Sequence, residues 1–144
     1  MATIEKSIIV NVPVSAAYNQ WTQFEEFPWF MDGIKHVTPI DEKRLHWKVE
    51  IGGQEKEWEA EITEQMPDQR IAWTCRDGPM KGGVVTFQAL PDAKAEITLQ
   101  IAYDPEGLIE YVGNAAGLMS LRVRGDLERF KTFIENRSRV AKGW

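Results

Sequence analysis

The sequence predicts an α+β protein in which one antiparallel sheet is covered by a long C-terminal helix. The first indication is a two-residue alternation of apolar and polar side chains, which recurs in several runs between Leu45 and Tyr103. The second is a change to helical spacing directly after Asp104-Pro105. Short turn-forming stretches separate the runs, and this arrangement favours a meander of neighbouring antiparallel strands.

Each predicted strand has one apolar face. In the run from Leu45 to Ile51, Trp47 and Val49 lie on the apolar side and His46 and Lys48 on the polar side. The apolar positions of the later runs are Trp58, Ala60 and Ile62, then Ile71, Trp73 and Cys75, then Val85, Phe87 and Ala89, and finally Ala95, Ile97, Leu99, Ile101 and Tyr103. A further strand pattern, Met1 to Val10, precedes them. One face of the sheet is therefore expected to be buried.

The C-terminal helix is predicted from about Glu106 to about Arg137, which corresponds to about 45 Å at 1.5 Å per residue. Its apolar stripe consists of Leu108, Val112, Ala116, Met119, Val123, Leu127, Phe130 and Ile134. Internal glycines such as Gly113 and Gly117 each cost up to about 1 kcal/mol relative to alanine. Either they allow close packing on the sheet or they leave space. The tryptophans of the facing strands favour a cavity.

Size and composition indicate one domain, residues 1–144, without a signal peptide or membrane span. The net charge of −5 argues against nucleic acid as the main partner. The single cysteine, Cys75, lies on an apolar strand face, which is typical of a reduced cytoplasmic protein and of inert core packing. We therefore expect a cytoplasmic protein that is a monomer or a homodimer.

The sequence lacks the motifs that would name a reaction. It contains no glycine-rich phosphate loop, no nucleophile elbow and no histidine pair at helical spacing. Its two histidines, His36 and His46, lie on different predicted strands, so no metal site and no cofactor are expected. Glu57, Glu59 and Glu61 share one strand face that is expected to be solvated, which does not suit acid/base catalysis.

Two segments have alternative interpretations. Val14 to Trp21 predicts a short helix, and the following stretch, Phe24 to Met31, contains five large apolar residues and Pro28. This second stretch either plugs one end of the sheet or forms a lid, with Phe24, Phe27, Trp29 and Phe30, over a cavity that meets an apolar ligand or a membrane. Residues 120–144 hold seven basic and three acidic groups, which indicates a solvated helix face or transient contact with an anionic membrane surface.

The chain resembles the START-like SRPBCC superfamily, and within it the bacterial polyketide cyclase/dehydrase group that includes coenzyme Q-binding proteins. The stretches that carry the resemblance are Val12 to Trp21, Phe24 to Pro28, Glu57 to Ile62, Ile71 to Trp73, Gly83 to Phe87 and Gly125 to Lys131. The resemblance implies a helix-grip (START/Bet v 1-like) fold: seven antiparallel strands curved around the C-terminal helix, two short helices between strands 1 and 2, and a hydrophobic tunnel. Trp29 departs from the pattern, because similar sequences favour a basic residue there.

The favoured function is binding or transport of a hydrophobic small molecule, such as a lipid, an isoprenoid quinone or a polyketide-like compound, and whether the chain is an enzyme stays open. The expected lining is Trp47, Val49, Trp58, Ile62, Trp73, Val85, Phe87, Leu99, Ile101, Tyr103, Leu108, Tyr111, Val112, Ala115 and Met119. The alternative is a polyketide aromatase/cyclase or dehydratase acting in the same cavity, with Tyr103 or Tyr111 as the acid. Its catalytic residues are otherwise unknown.

Overall fold

The computed structural model describes residues 2–31, 34–51, 53–76, 80–104 and 115–141. Its strands are β1 (Ala2–Val10), β2 (Ile34–Pro39), β3 (Arg44–Ile51), β4 (Gln54–Met66), β5 (Arg70–Cys75), β6 (Met80–Leu90) and β7 (Lys94–Tyr103). Its helices are α1 (Val14–Trp21), a 3₁₀ helix (Phe24–Trp29) and α2 (Ala115–Ala141). The predicted helix-grip architecture, with two short helices between the first two strands, is confirmed.

All seven strands form one antiparallel sheet in the order β1-β7-β6-β5-β4-β3-β2. Strands β2 to β7 follow one another as a meander, because short turns can join antiparallel neighbours. Strand β1 forms the edge of the sheet opposite β2 and pairs with β7, from Ala2 opposite Tyr103 to Val10 opposite Ala95. The strand that begins the chain therefore lies beside the strand that ends the meander.

The alternation read from the sequence correctly identifies the buried face. On β7, Ala95, Ile97, Leu99, Ile101 and Tyr103 are all buried, whereas the residues between them are half-buried or exposed. Strands of this kind bury one face against the core and leave the other in water. The covering element on the buried side is α2, which presents Val123, Leu127, Phe130 and Ile134.

Helix α2 ends four residues beyond the predicted end at Arg137. The apolar spacing stops at Ile134, so the sequence pattern gave no reason to extend the helix further. Arg137 is nevertheless bound within the structure, because its Nη1 donates to the side chains of Gln20 and Glu26. The predicted start near Glu106 lies outside the described residues, as do Leu108, Tyr111 and Val112.

Two turns show how the strands are joined. In the β2–β3 hairpin, Asp41 Oδ1 accepts from the backbone N–H groups of Lys43 and Arg44 at 2.9 Å each, and its Oδ2 accepts from Arg44 Nε at 2.7 Å. These bonds lower the pKa of Asp41 to about 2, with the Lys43 N–H as the largest cause. In the β6–β7 turn, Asp92 and Ala93 adopt the left-handed conformation with φ of 65° and 57°.

Candidate functional site: an apolar cavity between the sheet and α2

A cavity of about 120 Å³ lies between the sheet and the N-terminal half of α2. Its walls come from β2 to β7, from α1 and the segment that follows it, and from one face of α2. The lining residues are Trp21, Phe27, Met31, Ile34, Trp47, Val49, Trp58, Trp73, Cys75, Met80, Leu99, Ile101, Arg122, Val123 and Asp126. Almost the whole surface is aliphatic, aromatic or sulfur-bearing, which is typical of a site for an apolar molecule.

Tryptophan forms much of the sheet wall. Trp47 on β3 and Trp58 on β4 are direct partners across the two strands, and Trp73 follows on β5. Aromatic partners of this kind stabilise neighbouring strands while presenting large flat surfaces. The wall is therefore broad and is held by the sheet itself.

Gly83 on β6 leaves the space that the Trp73 ring occupies. The two residues are partners in the β5–β6 register. A Cβ atom on Gly83 would lie 2.5 Å from Trp73 Cζ2 and 2.8 Å from the carbonyl O of Gln100. Any side chain at this position would therefore displace the ring, and glycine is required by the close approach.

The helix wall carries the charged residues of the lining, Arg122 and Asp126, one turn apart around Val123. Arg122 Nη2 donates to the carbonyl O of Glu50 at 2.9 Å, which joins α2 to β3. Asp126 Oδ1 accepts from Arg129 Nη2 at 2.5 Å, and the Asp126 side chain is only 12% exposed. One stretch of an otherwise apolar cavity is thus polar.

Cys75 lines the cavity but is a poor nucleophile. Burial raises the pKa of its thiol to about 11, and only partial compensation comes from a hydrogen bond with Trp58 and from the charge of Lys81. The thiolate is the reactive form of cysteine, so Cys75 is almost entirely unreactive near pH 7. This agrees with inert packing.

The segment from Phe24 to Met31 is divided between packing and exposure. Phe27 and Met31 line the cavity, and Phe30 is buried against Phe130 with ring centroids 5.2 Å apart. Phe24 is half-buried and packs edge-on against Phe27. Trp29, by contrast, is 62% exposed. The segment therefore borders one side of the cavity with its inner residues, while Trp29 faces solvent.

Two arginines of α2 hold this segment in place. Arg129 Nε donates to the carbonyl O of Phe30 at 2.9 Å. Arg137 Nη1 donates to Glu26 Oε1 at 2.5 Å, and its guanidinium lies 5.8 Å from the Trp29 ring centroid. The same helix thus forms one cavity wall and fastens the segment that closes it.

The structure brings six of the sheet residues expected in the lining to the cavity: Trp47, Val49, Trp58, Trp73, Leu99 and Ile101. Four others with the same strand parity lie outside it, namely Ile62, Val85, Phe87 and Tyr103, and all of them are buried in the core. Of the expected lid residues, Phe27 lines the cavity. The side chains of Ala115 and Met119 fall outside the described part of the structure.

Several lining residues were not predicted from the sequence. Trp21, Met31, Ile34 and Met80 come from element ends, where strand or helix periodicity is weak. Arg122 and Asp126 were assigned to a solvated helix face because of their charge. Their spacing offered a signal: positions 122, 126 and 130 are four apart, and 130 belongs to the predicted apolar stripe.

The described residues provide no metal-binding group of three or more His, Cys, Asp or Glu side chains. Among the helices in the described ranges, none combines the length and the apolar character needed to cross a membrane.

The cavity, its position under a C-terminal helix and the strand order can be compared with known proteins. A family model described as "polyketide cyclase/dehydrase and lipid transport" matches residues 10–132. The chain belongs to this polyketide cyclase/dehydrase family. The resemblance stated from the sequence is thereby confirmed, and it covers most of the chain.

Similar proteins agree with the family and the fold. An uncharacterised 17.2 kDa protein from the melC2-rnhH intergenic region of Streptomyces lincolnensis is 46% identical over 145 residues, covering 100% of this chain and 97% of that protein. The aromatase/cyclase Zhui from Streptomyces sp. R1128 superposes with a TM-score of 0.82 at 15% identity, covering 97% of each chain. A START superfamily protein from Mycobacterium smegmatis superposes with a TM-score of 0.73 at 14% identity, covering 92% and 98%. At these identities the two structures show the shared fold.

Proposed function

We propose that this member of the polyketide cyclase/dehydrase family binds a hydrophobic small molecule in the cavity between the sheet and α2, as a carrier. The observation that carries the proposal is the apolar lining of a cavity of about 120 Å³. Protein interiors are packed as densely as organic crystals, so space of this size needs a reason.

The chemistry of the lining supports binding over catalysis. Acid/base catalysis requires groups whose pKa values are tuned and which reach the reacting atoms. In the described lining, the thiol of Cys75 is held protonated, and the charged side chains Arg122 and Asp126 are engaged with Glu50 and Arg129. The described lining also contains no histidine. The carrier function therefore needs fewer assumptions than a reaction.

A polyketide aromatase/cyclase activity in the same cavity is the second candidate. It is favoured by the family description and by the likeness of fold to Zhui. The acid expected for it does not gain support from the geometry, because Tyr103 is buried outside the cavity and Tyr111 is not among the described residues. Cyclised product from a synthetic poly-β-ketone, formed faster than without protein, would favour this candidate.

Membrane contact gains little support from the charges of α2. Three of the cations on α2 whose side chains are described are paired with carboxylates: Arg124 with Glu128 at 3.3 Å, Lys131 with Glu135 at 2.6 Å and Arg137 with Glu26 at 2.5 Å. Paired cations attract an anionic surface less than free ones do. Exposed Trp29 remains the feature that favours such a contact.

The carrier proposal is tested with two proteins purified from their own host: the wild type and a variant whose cavity is filled by a larger side chain. Native mass spectrometry should show an added mass on the wild-type chain, and Ile101→Trp should remove it because the larger ring occupies the cavity. Ile97→Val is the matched control, since Ile97 shares the strand and the inward face of Ile101 but does not line the cavity. A wild-type chain without added mass that also binds no apolar probe in calorimetry would refute the proposal.

A further inference from the structure

Part of the cavity wall is a ring whose position depends on a glycine. Trp73 of β5 lines the cavity, and its partner across the strands is Gly83 of β6. Glycine within a strand weakens it, and it is typical of places where another group approaches the backbone closely. Here the approaching group is the Trp73 ring, since a Cβ on Gly83 would lie 2.5 Å from Cζ2 and 2.9 Å from Cη2. The ring therefore occupies the space that a side chain at position 83 would need.

The ring would give way more readily than the backbone if this space were filled. The Cβ atom would also lie 2.8 Å from the carbonyl O of Gln100. That oxygen belongs to β7, which pairs with β6 on one side and with β1 on the other, so it can move only with the sheet. The Trp73 ring is the end of a side chain and borders open space. Carbon atoms in ordinary contact are about 3.5 to 4 Å apart, so the ring would have to move by about 1 Å or more.

The surroundings of the ring determine the direction of that movement. On the β4 side the partner of Trp73 is Ile62, which is buried, and two positions back along β5 Ile71 is fully buried. Dense packing leaves no space for the ring in either direction. The open space beside the ring is the cavity, which Cys75 lines further along the same strand. A side chain on Gly83 would therefore push the ring into the cavity and narrow it.

Width is the dimension in which these walls restrict a ligand. The cavity is open to solvent on one side, so a long molecule can extend out of it. Its thickness is bounded by sheet residues such as Trp73 and by helix residues such as Val123. Packed elements resist being moved apart, so the position of a large ring in one wall decides how broad the ligand can be.

We infer that Trp73 limits the width of the molecule that the cavity admits, and that Gly83 is the positioning residue that keeps the Trp73 ring out of the ligand space. The inference rests on the proposed carrier function and adds the residue pair that determines which apolar molecules fit. Gly83 is not part of the lining, so it acts through the ring.

The test compares two alcohols with the same number of carbon atoms, 1-decanol, which is narrow, and 1-adamantanol, which is broad. Displacement of the fluorescent apolar probe N-phenyl-1-naphthylamine gives their dissociation constants for the full-length wild type and its variants. The measured quantity is the ratio of the constant for 1-adamantanol to that for 1-decanol. Gly83→Ala should raise this ratio at least about fivefold, because the ring enters the space that the broad ligand needs. Trp73→Leu should lower the ratio, since the smaller side chain widens the cavity.

Two further variants separate the effect of the ring from a general loss of stability. In the Trp73→Leu background, Gly83→Ala should leave the ratio unchanged within about twofold, because no ring remains to be displaced. Ile97→Val is the control for stability, since Ile97 is buried on the inward face of β7 outside the lining, and it should keep the wild-type ratio.

An unchanged ratio in Gly83→Ala or in Trp73→Leu, or a rise that persists in the double variant, would overturn the inference and leave the carrier function intact. If the wild type excludes 1-adamantanol, or if circular dichroism shows that Gly83→Ala does not fold, Trp73→Leu decides alone through its gain in 1-adamantanol binding. Failure of the probe and of both alcohols to bind the wild type would instead refute the carrier function, and the inference with it.

Discussion

The two ends of the interior differ in how the same sheet and the same helix meet. At the end covered by the C-terminal half of α2, aromatic rings fill the space: Phe130 contacts Trp21 and Phe30 at centroid distances of 4.8 and 5.2 Å. At the other end, Val123 and its charged neighbours face tryptophans across a cavity of about 120 Å³. Trp21 lies at the boundary, since it contacts Phe130 and also lines the cavity.

The boundary runs across strands such as β6 and β7, and each of these two strands carries residues of both ends. On β7, Ile97 belongs to the filled end and Leu99 lines the cavity, although both face inward. On β6, Phe87 packs edge-on against Tyr18 of α1 with ring centroids 5.4 Å apart. Helix α1 therefore packs on the sheet at the filled end.

The largest expected effect comes from replacing one buried leucine with alanine at each end of the interior. Leu127→Ala at the filled end should lower the free energy of unfolding by about 4 to 5 kcal/mol, and Leu99→Ala beside the cavity by about 2 to 3 kcal/mol. The two side chains are almost equally buried, but Leu99 already borders open space and so has fewer packing contacts to lose. Urea denaturation measures both values. Equal losses would remove the distinction between the ends.

A smaller effect is expected at the wall of the open end. Gly83→Ala should destabilise the protein by about 1 to 3 kcal/mol, because the new Cβ collides with the Trp73 ring. Trp73→Leu provides the background for a double-mutant cycle in thermal or urea unfolding. In that background Gly83→Ala should cost less, although the approach to the carbonyl O of Gln100 remains. An unchanged cost would show that the ring is not held against Gly83.

The smallest expected effect is a pH dependence of stability that arises from the ion pair between Glu26 and Arg137. A hydrogen bond from Gln20 is the largest cause that lowers the pKa of Glu26 below its usual 4.5; partial burial opposes it, and Arg137 adds a further hydrogen bond and its charge. Because the folded-state pKa is the lower one, the stabilisation is fully present above about pH 4.5 and is lost as the pH falls through the folded value.

Melting temperatures measured between pH 6 and pH 3 test this sign. Glu26→Gln should show a flatter decline than the wild type in that window, since it has no carboxyl group to protonate. Glu25→Gln is the control, because Glu25 is the exposed neighbour on the same 3₁₀ helix. If the melting temperatures of Glu26→Gln and the wild type declined in parallel with falling pH, Glu26 would not contribute to stability through its charged form.

The sequence predicted the faces of the elements well and the position of the cavity less well. Alternation assigns Phe87 and Leu99 to the same buried face, and the structure agrees. The alternation does not show that Phe87 lies under α1 and Leu99 beside the cavity. That difference depends on how the helices cross the sheet. Ile62 and Tyr103 were placed in the lining for this reason, and they lie outside it.

Charge was the second limit of the sequence analysis. Asp126 was counted with the solvated residues of the helix, since carboxylates are seldom buried unless they are paired. Its partner, Arg129, is only three positions away, and that pair is what permits its burial. A cavity was predicted from the contrast in size between the tryptophans of the strands and the small residues of the helix. The helix residues that line the cavity are instead Arg122, Val123 and Asp126, and the side chains of residues 115 and 116 lie outside the described part of the structure.

The pairing of β1 with β7 has a consequence for how the chain folds. Partners such as Ala2 and Tyr103 are about a hundred residues apart, so β1 can join the sheet only after β7 has been synthesised. Contacts between such distant residues slow folding, because a long loop must be closed before they form. Until then β1 is an unpaired strand at risk of associating with other chains. The alternating polar residues Thr3, Glu5 and Ser7 give it one hydrophilic face, which limits that association during the delay.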